Sequence, residues 1–88
     1  MSIRVHSGPL LSRYTDRQEM IEVDGKTVGE CLKNLVELFP KLELFDKNGN
    51  LLDYFGIYVN GENAYPNELD LPVKDGDELS IVLIIAGG

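Results

Sequence analysis

Residues 27–40 read Thr27-Val28-Gly29-Glu30-Cys31-Leu32-Lys33-Asn34-Leu35-Val36-Glu37-Leu38-Phe39-Pro40. Val28, Cys31, Leu32, Leu35, Val36 and Phe39 recur at the spacing of one helix face. Glu30, Lys33, Asn34 and Glu37 take the opposite face. Thr27 is placed to cap the helix, with Glu30 three residues on completing a capping box. Pro40 stops the helix near Phe39. Gly29 in the first turn costs at most about 1 kcal/mol.

Everything around this helix has the two-residue period of strands. Upstream, Ile3-Arg4-Val5-His6 alternates with Ile3 and Val5 inward, and Glu19–Asp24 alternates with Ile21 and Val23 inward. The polar stretch 7–18, with Gly8-Pro9 near its start, reads as a turn or loop. Downstream, Lys41–Asp53 reads as a connector around the turn signal Lys47-Asn48-Gly49-Asn50. Phe55–Val59 is a third strand, with Phe55, Ile57 and Val59 inward and Tyr58 outward. Asn60-Gly61 suits a type I′ turn. A short strand through Ala64 and Tyr65 follows, limited by Pro66. Leu69, Leu71 and Val73 belong to an irregular packed loop, and Lys74-Asp75-Gly76-Asp77 to a tight turn. Leu79–Ile85 is nearly all apolar, as in a central strand covered on much of both faces.

The order is strand, strand, helix, strand, short strand, strand, within 88 residues and therefore within one domain. It predicts an α+β architecture: a mixed four- to five-stranded sheet with one main helix packed on one face. A helix-containing crossover lets the first and last strands pair in parallel at the centre. This is the order of the β-grasp, or ubiquitin-like, fold. The expected division is a β-grasp domain at 1–83 and a flexible C-terminal tail at 84–88.

Composition narrows the function. Net charge is −7, which argues against binding nucleic acid or an anionic membrane surface. The imbalance is uneven: residues 1–40 carry a net −1 and residues 41–88 a net −6. One Cys excludes an internal disulfide and any thiolate cluster supplied by this chain. Met1–Arg4 shows no apolar signal region, and the longest apolar run, Ile81–Ala86, is too short to span a membrane, so the expected compartment is the cytoplasm. There is no nucleophile–base set, phosphate loop or metal-ligand spacing, so no catalytic residue of its own, no metal and no bound cofactor are expected.

The sharp signal is the final stretch Leu83-Ile84-Ile85-Ala86-Gly87-Gly88. Two residues without side chains can pass a narrow channel. Five extended residues from Ile84 reach about 17 Å, enough to carry a carboxylate into another protein's active site. An ATP-dependent partner could adenylate that carboxylate, and a sulfur nucleophile could displace AMP to leave a thiocarboxylate.

With Val59-Asn60-Gly61, Asp75-Gly76-Asp77-Glu78 and Gly87-Gly88, the whole chain resembles the ThiS/MoaD family of sulfur carriers. The resemblance implies that Gly88, behind Gly87, is adenylated by an E1-like adenylyltransferase using ATP. It implies a sulfur donor, such as a cysteine desulfurase or rhodanese, and a downstream sulfur-accepting synthase. The sulfur would serve molybdopterin, thiamine or cysteine biosynthesis. Ile84 and Ile85 stand where many members carry a Pro pair, and the 57–60 stretch is similar to a cysteine-pathway carrier, so the pathway stays open. Two alternatives also stay open: a ubiquitin-like modifier conjugated to lysines through Gly88, and the small subunit of a molybdopterin synthase.

Among the remaining candidates, Tyr58, Val82 and Ile84 form an outward apolar patch leading into Ile85 and Ala86, a predicted partner surface. Cys31 lies on the apolar helix stripe and reads as a buried small hydrophobe. His6, the single His, reads as solvent-facing on the first strand.

Overall fold

The computed structural model describes residues 2–84, and Met1 and 85–88 lie outside the described residues. Five strands form one mixed sheet: β1 (Ser2–His6), β2 (Met20–Asp24), β3 (Phe55–Val59), β4 (Glu62–Asn63) and β5 (Glu78–Leu83). Their spatial order is β2-β1-β5-β3-β4. The central pair β1 and β5 is parallel, with Val5 opposite Leu79, and β5 runs antiparallel to β3, with Ile57 opposite Ile81. This is the β-grasp arrangement that the element order predicts.

The main helix, α2 (Val28–Leu38), lies across one face. Its stripe residues Val28, Cys31, Leu32 and Leu35 are fully buried against Ile3, Val5, Ile57 and Leu79. Thr27 caps the helix by accepting from the Glu30 N–H at 3.2 Å. The return arm of the capping box lands one residue early: Glu30 Oε1 accepts from the Lys26 N–H at 3.0 Å. Gly29 has a reason that the helix pattern hides. A Cβ there would stand 2.9 Å from the Leu69 carbonyl oxygen, so its absence lets the 3-10 turn Glu68–Asp70 seat on α2.

Several expectations need correction. Residues 7–18 are not a plain loop: α1 (Gly8–Leu11) and a 3-10 turn (Ser12–Tyr14) bury Leu11. Pro9 favours the first helical turn. Thr15, fully buried, closes the segment by donating its hydroxyl to the Gln18 carbonyl at 2.7 Å. The short strand is Glu62–Asn63 rather than Ala64–Tyr65, because Asn63 Oδ1 accepts from the Tyr65 N–H and turns the chain away. The connector before β3 buries Leu42 and Leu44 almost completely. Its turn is built by Asp46, whose carboxylate accepts from the N–H groups of Asn48 and Asn50. Central β5 is covered on both sides only in part: Leu79 and Ile81 are buried, but Val82, Leu83 and Ile84 are exposed.

Candidate functional site

Parity along β5 and β3 assembles the predicted partner surface. Leu79 and Ile81 point to the helix, so Ser80 and Val82 point away from it. Register sets Ser80 opposite Tyr58 and Val82 opposite Gly56. A Cβ at Gly56 would stand 3.0 Å from Val82 Cγ2 and 3.3 Å from Ile84 Cδ1. The bare glycine is therefore the floor on which Val82 and Ile84 lie. A shallow cavity of about 110 Å³ is lined by Gly56, Tyr58, Asn63, Tyr65, Glu68, Val82 and Ile84. Of the predicted surface residues, Tyr58, Val82 and Ile84 are thus brought together. Ile85, Ala86, Gly87 and Gly88 lie outside the described residues.

Ile84 stays tied to the sheet edge through its N–H, which donates to the Tyr54 carbonyl at 2.8 Å. The side chain is 52% exposed. Beside it opens a second cleft carrying the carboxylates of Asp53, Glu68 and Asp70. Sequence reasoning detected the negative charge of the second half but could not collect these three residues around Ile84. Gly56 and Tyr65 were missed as members of the surface, since their roles depend on cross-strand register.

The opposite end of β5 is locked by the two motifs that carry the family resemblance. Asn60 and Gly61 both have positive φ, as the turn requires. The Asn60 amide donates to Asp77 Oδ1 at 3.1 Å, and its oxygen accepts from the Glu78 N–H at 2.9 Å. Asp77 Oδ2 accepts from the Lys74 N–H at 2.9 Å. The Lys74 N–H, then the Asn60 amide, hold the Asp77 carboxyl below its ordinary range. These residues are a clasp that fixes β3 against β5.

The other candidates fall away from the site. Cys31 is fully buried and free, as the apolar stripe predicts. Burial, reinforced by Glu30 and Asp24, pushes its thiol up to about 11, the wrong direction for a nucleophile. His6 lies on the outward face of β1 as expected, with its side chain 36% exposed, but its ring is turned against a neighbouring strand. Its Nε2 is shut from solvent without a hydrogen-bond partner, 3.5 Å from Glu78 Oε2. Glu78 also pairs with Arg4 at 2.9 Å. Among the described residues no group of three or more His, Cys, Asp or Glu could hold a metal ion. No helix among them is long and apolar enough to cross a membrane.

Comparison with known proteins supplies the family. The ThiS family matches residues 10–88, which takes in the clasp, the patch and Gly87-Gly88. The chain belongs to the ThiS family. A candidate sulfur carrier protein of Archaeoglobus fulgidus is 37% identical over 73 residues, covering 77% of this chain and 83% of the relative. The crystal structure of SAMP1 from Haloferax volcanii is similar with a TM-score of 0.85 and 30% identity, over 100% of both chains. A chain of the Amycolatopsis orientalis BexX/CysO complex matches with a TM-score of 0.83 and 29% identity, over 98% of this chain and 99% of that one. ThiS-family sulfur carriers are small carrier proteins, and this chain shares their family and ubiquitin-like β-grasp fold.

Proposed function

We propose that this ThiS-family protein carries sulfur as a thiocarboxylate on Gly88. The observation that carries the reading is the family match running through residue 88, so that Gly87-Gly88 falls inside the matched region. An E1-like enzyme transfers AMP from ATP to the Gly88 carboxylate, releasing pyrophosphate. The terminal sulfur of a persulfide on a cysteine desulfurase or rhodanese displaces AMP to give an acyl disulfide, and a second thiol then cleaves the S–S bond, leaving the thiocarboxylate on Gly88 and a disulfide between donor and thiol. A biosynthetic enzyme for a sulfur-containing cofactor or for cysteine then takes that sulfur. The carrier needs no acid, base, metal or cofactor of its own; ATP is consumed by the activating partner.

The geometry of residues 2–84 supports this reading. Tyr58, Val82 and Ile84 form an apolar surface that leads to residue 85. A partner seated there would receive Ile85, Ala86, Gly87 and Gly88 directly. On this reading the folded body is 1–83 and the delivered segment is 84–88.

The test is intact high-resolution mass spectrometry of protein from its own host, before and after incubation with host lysate and ATP. Exchange of one oxygen for sulfur, localised to the C-terminal peptide, is the expected result. An unmodified Gly88 in the presence of active adenylating enzyme would defeat the proposal.

A second reading draws on one comparison. The SAMP1 match spans both chains completely, and SAMP1 stands for small archaeal modifier protein 1. Conjugation through Gly88 to lysines would give high-mass adducts of tagged protein that survive boiling and reductant. Their absence under several growth conditions would count against modification.

A further inference from the structure

The end of β5 is flanked by two surfaces of opposite character. Ile84 borders the cleft of Asp53, Glu68 and Asp70 described above. Leu83, one residue earlier, borders a different groove between α1, the start of the connector and the start of β3. Leu10, Tyr14, Tyr54 and Leu83 line that groove and are 66%, 41%, 52% and 36% exposed. Exposed apolar and aromatic side chains gathered in one concavity are the composition of an interface core. Two cations, Arg13 and Lys41, stand on the same groove, opposed by the single carboxylate of Glu43. The Arg13 guanidinium lies 5.9 Å from the Tyr14 ring centre. Neither Arg13 nor Lys41 is in an ion pair among the described residues.

We propose that this groove is a second docking surface, built for an acidic protein segment bearing an apolar or aromatic side chain. The inference rests on the carrier reading for its context: a protein that takes residues 85–88 must sit against the flanks of Leu83 and Ile84. Charge complementarity selects the occupant. In a chain of net charge −7, a groove with two free cations and one carboxylate is a local reversal of sign. Carboxylates of the partner meet Arg13 and Lys41, while its apolar anchor enters between Leu10, Tyr14 and Tyr54. The opposite flank, with Asp53, Glu68 and Asp70, rejects the same segment. Opposite charge on the two sides of one exit therefore fixes the orientation in which a partner approaches. A second copy of this chain is a poor occupant, because two bodies of charge −7 repel.

The test is an amide NMR titration of the full chain with the acidic peptide acetyl-Glu-Asp-Leu-Phe-Glu-Asp-amide. Its control is the uncharged acetyl-Gln-Asn-Leu-Phe-Gln-Asn-amide. Saturable shifts centred on Leu10, Arg13, Tyr14, Tyr54 and Leu83 are expected with the acidic peptide. The double variant Arg13→Glu, Lys41→Glu should weaken binding by about tenfold or more. Tyr58→Ala, on the other face of the sheet, should leave it unchanged. Absence of saturable shifts up to millimolar peptide, or equal binding of the uncharged control, overturns the proposal. Groove resonances that move on dilution without peptide would assign the groove to a second copy and overturn it as well. So would groove shifts caused by deleting 85–88, which would assign it to the chain's own C-terminal segment. None of these readings involves sulfur on Gly88, so failure here is distinct from failure of the carrier proposal.

Discussion

Asn60 and Asp77 hold each other side chain to side chain across 17 residues of chain, at 3.1 Å. Through them the turn after β3 and the turn before β5 become one unit. The consequence reaches the far end of β5, since the register set by this clasp places Val82 over Gly56 and Ile84 beside it. A slip of one residue would turn the apolar patch into the core and the core residues out.

Asn60→Gly keeps the left-handed backbone that the turn needs while deleting both side-chain bonds. Stability should fall by about 1–2 kcal/mol, and chemical denaturation would measure it. A variant as stable as the parent would show that the clasp is dispensable.

The clasp also predicts an acid response. The folded Asp77 carboxyl lies below its ordinary range, chiefly through the Lys74 N–H and the Asn60 amide. Its contribution is therefore complete above the unfolded value of about 3.9 and is lost as pH falls through the lower folded value. Urea midpoints of the parent and Asp77→Asn should differ most at pH 6 and converge toward pH 2. A constant gap across that range would remove Asp77 from the acid response.

Gly29→Ala should destabilise despite alanine's better helix propensity of about 1 kcal/mol. The added Cβ meets a backbone oxygen, Leu69, at 2.9 Å, so the 68–70 turn must move off α2. A loss of about 1–3 kcal/mol in urea denaturation is expected. A gain in stability would show that this turn yields freely.

Cys31 should be inert in the native protein. With its thiol pushed up to about 11, the thiolate is roughly a thousandth of the population at pH 8, and burial denies access besides. Labelling by a disulfide reagent should follow global unfolding in denaturant. Rapid native labelling would contradict the burial of Cys31 against Gly25, where there is no room for a side chain.

Tyr58→Ala removes a side chain from the outward patch without opening the core. Adenylation by the activating enzyme, followed as ATP–pyrophosphate exchange, should lose about tenfold in kcat/KM with little change in Tm. Val82→Ala and Ile84→Ala should behave alike. Undiminished exchange in all three would move the docking surface elsewhere.

The α2 stripe, the inward residues of β1, β2 and β3, and the Asn60-Gly61 turn are legible because each is a local period or a local backbone demand. The helical segment 8–14 is not, since its one buried residue, Leu11, cannot show a period. Leu42 and Leu44 are likewise buried by what α2 and β3 leave open, which no window of residues 41–53 contains. Gly29 looks like a weak point in a helix and proves to be a contact surface for Leu69. Alternation places His6 outward, but only the parallel pairing with β5 brings Glu78 to 3.5 Å from its Nε2.

By itself the sequence determined the order of the strands and the main helix, the β-grasp arrangement, the buried stripe and the Gly87-Gly88 signal, since these depend on periodicity and on residue types close together in the chain. Only the tertiary structure decided that Gly56 floors the patch of Val82 and Ile84. Only it decided that Asp77 belongs with Asn60, and that opposite charges flank the end of β5. Those relations join residues distant in the chain, and they exist only once strand register and the packing of turns on α2 bring them together.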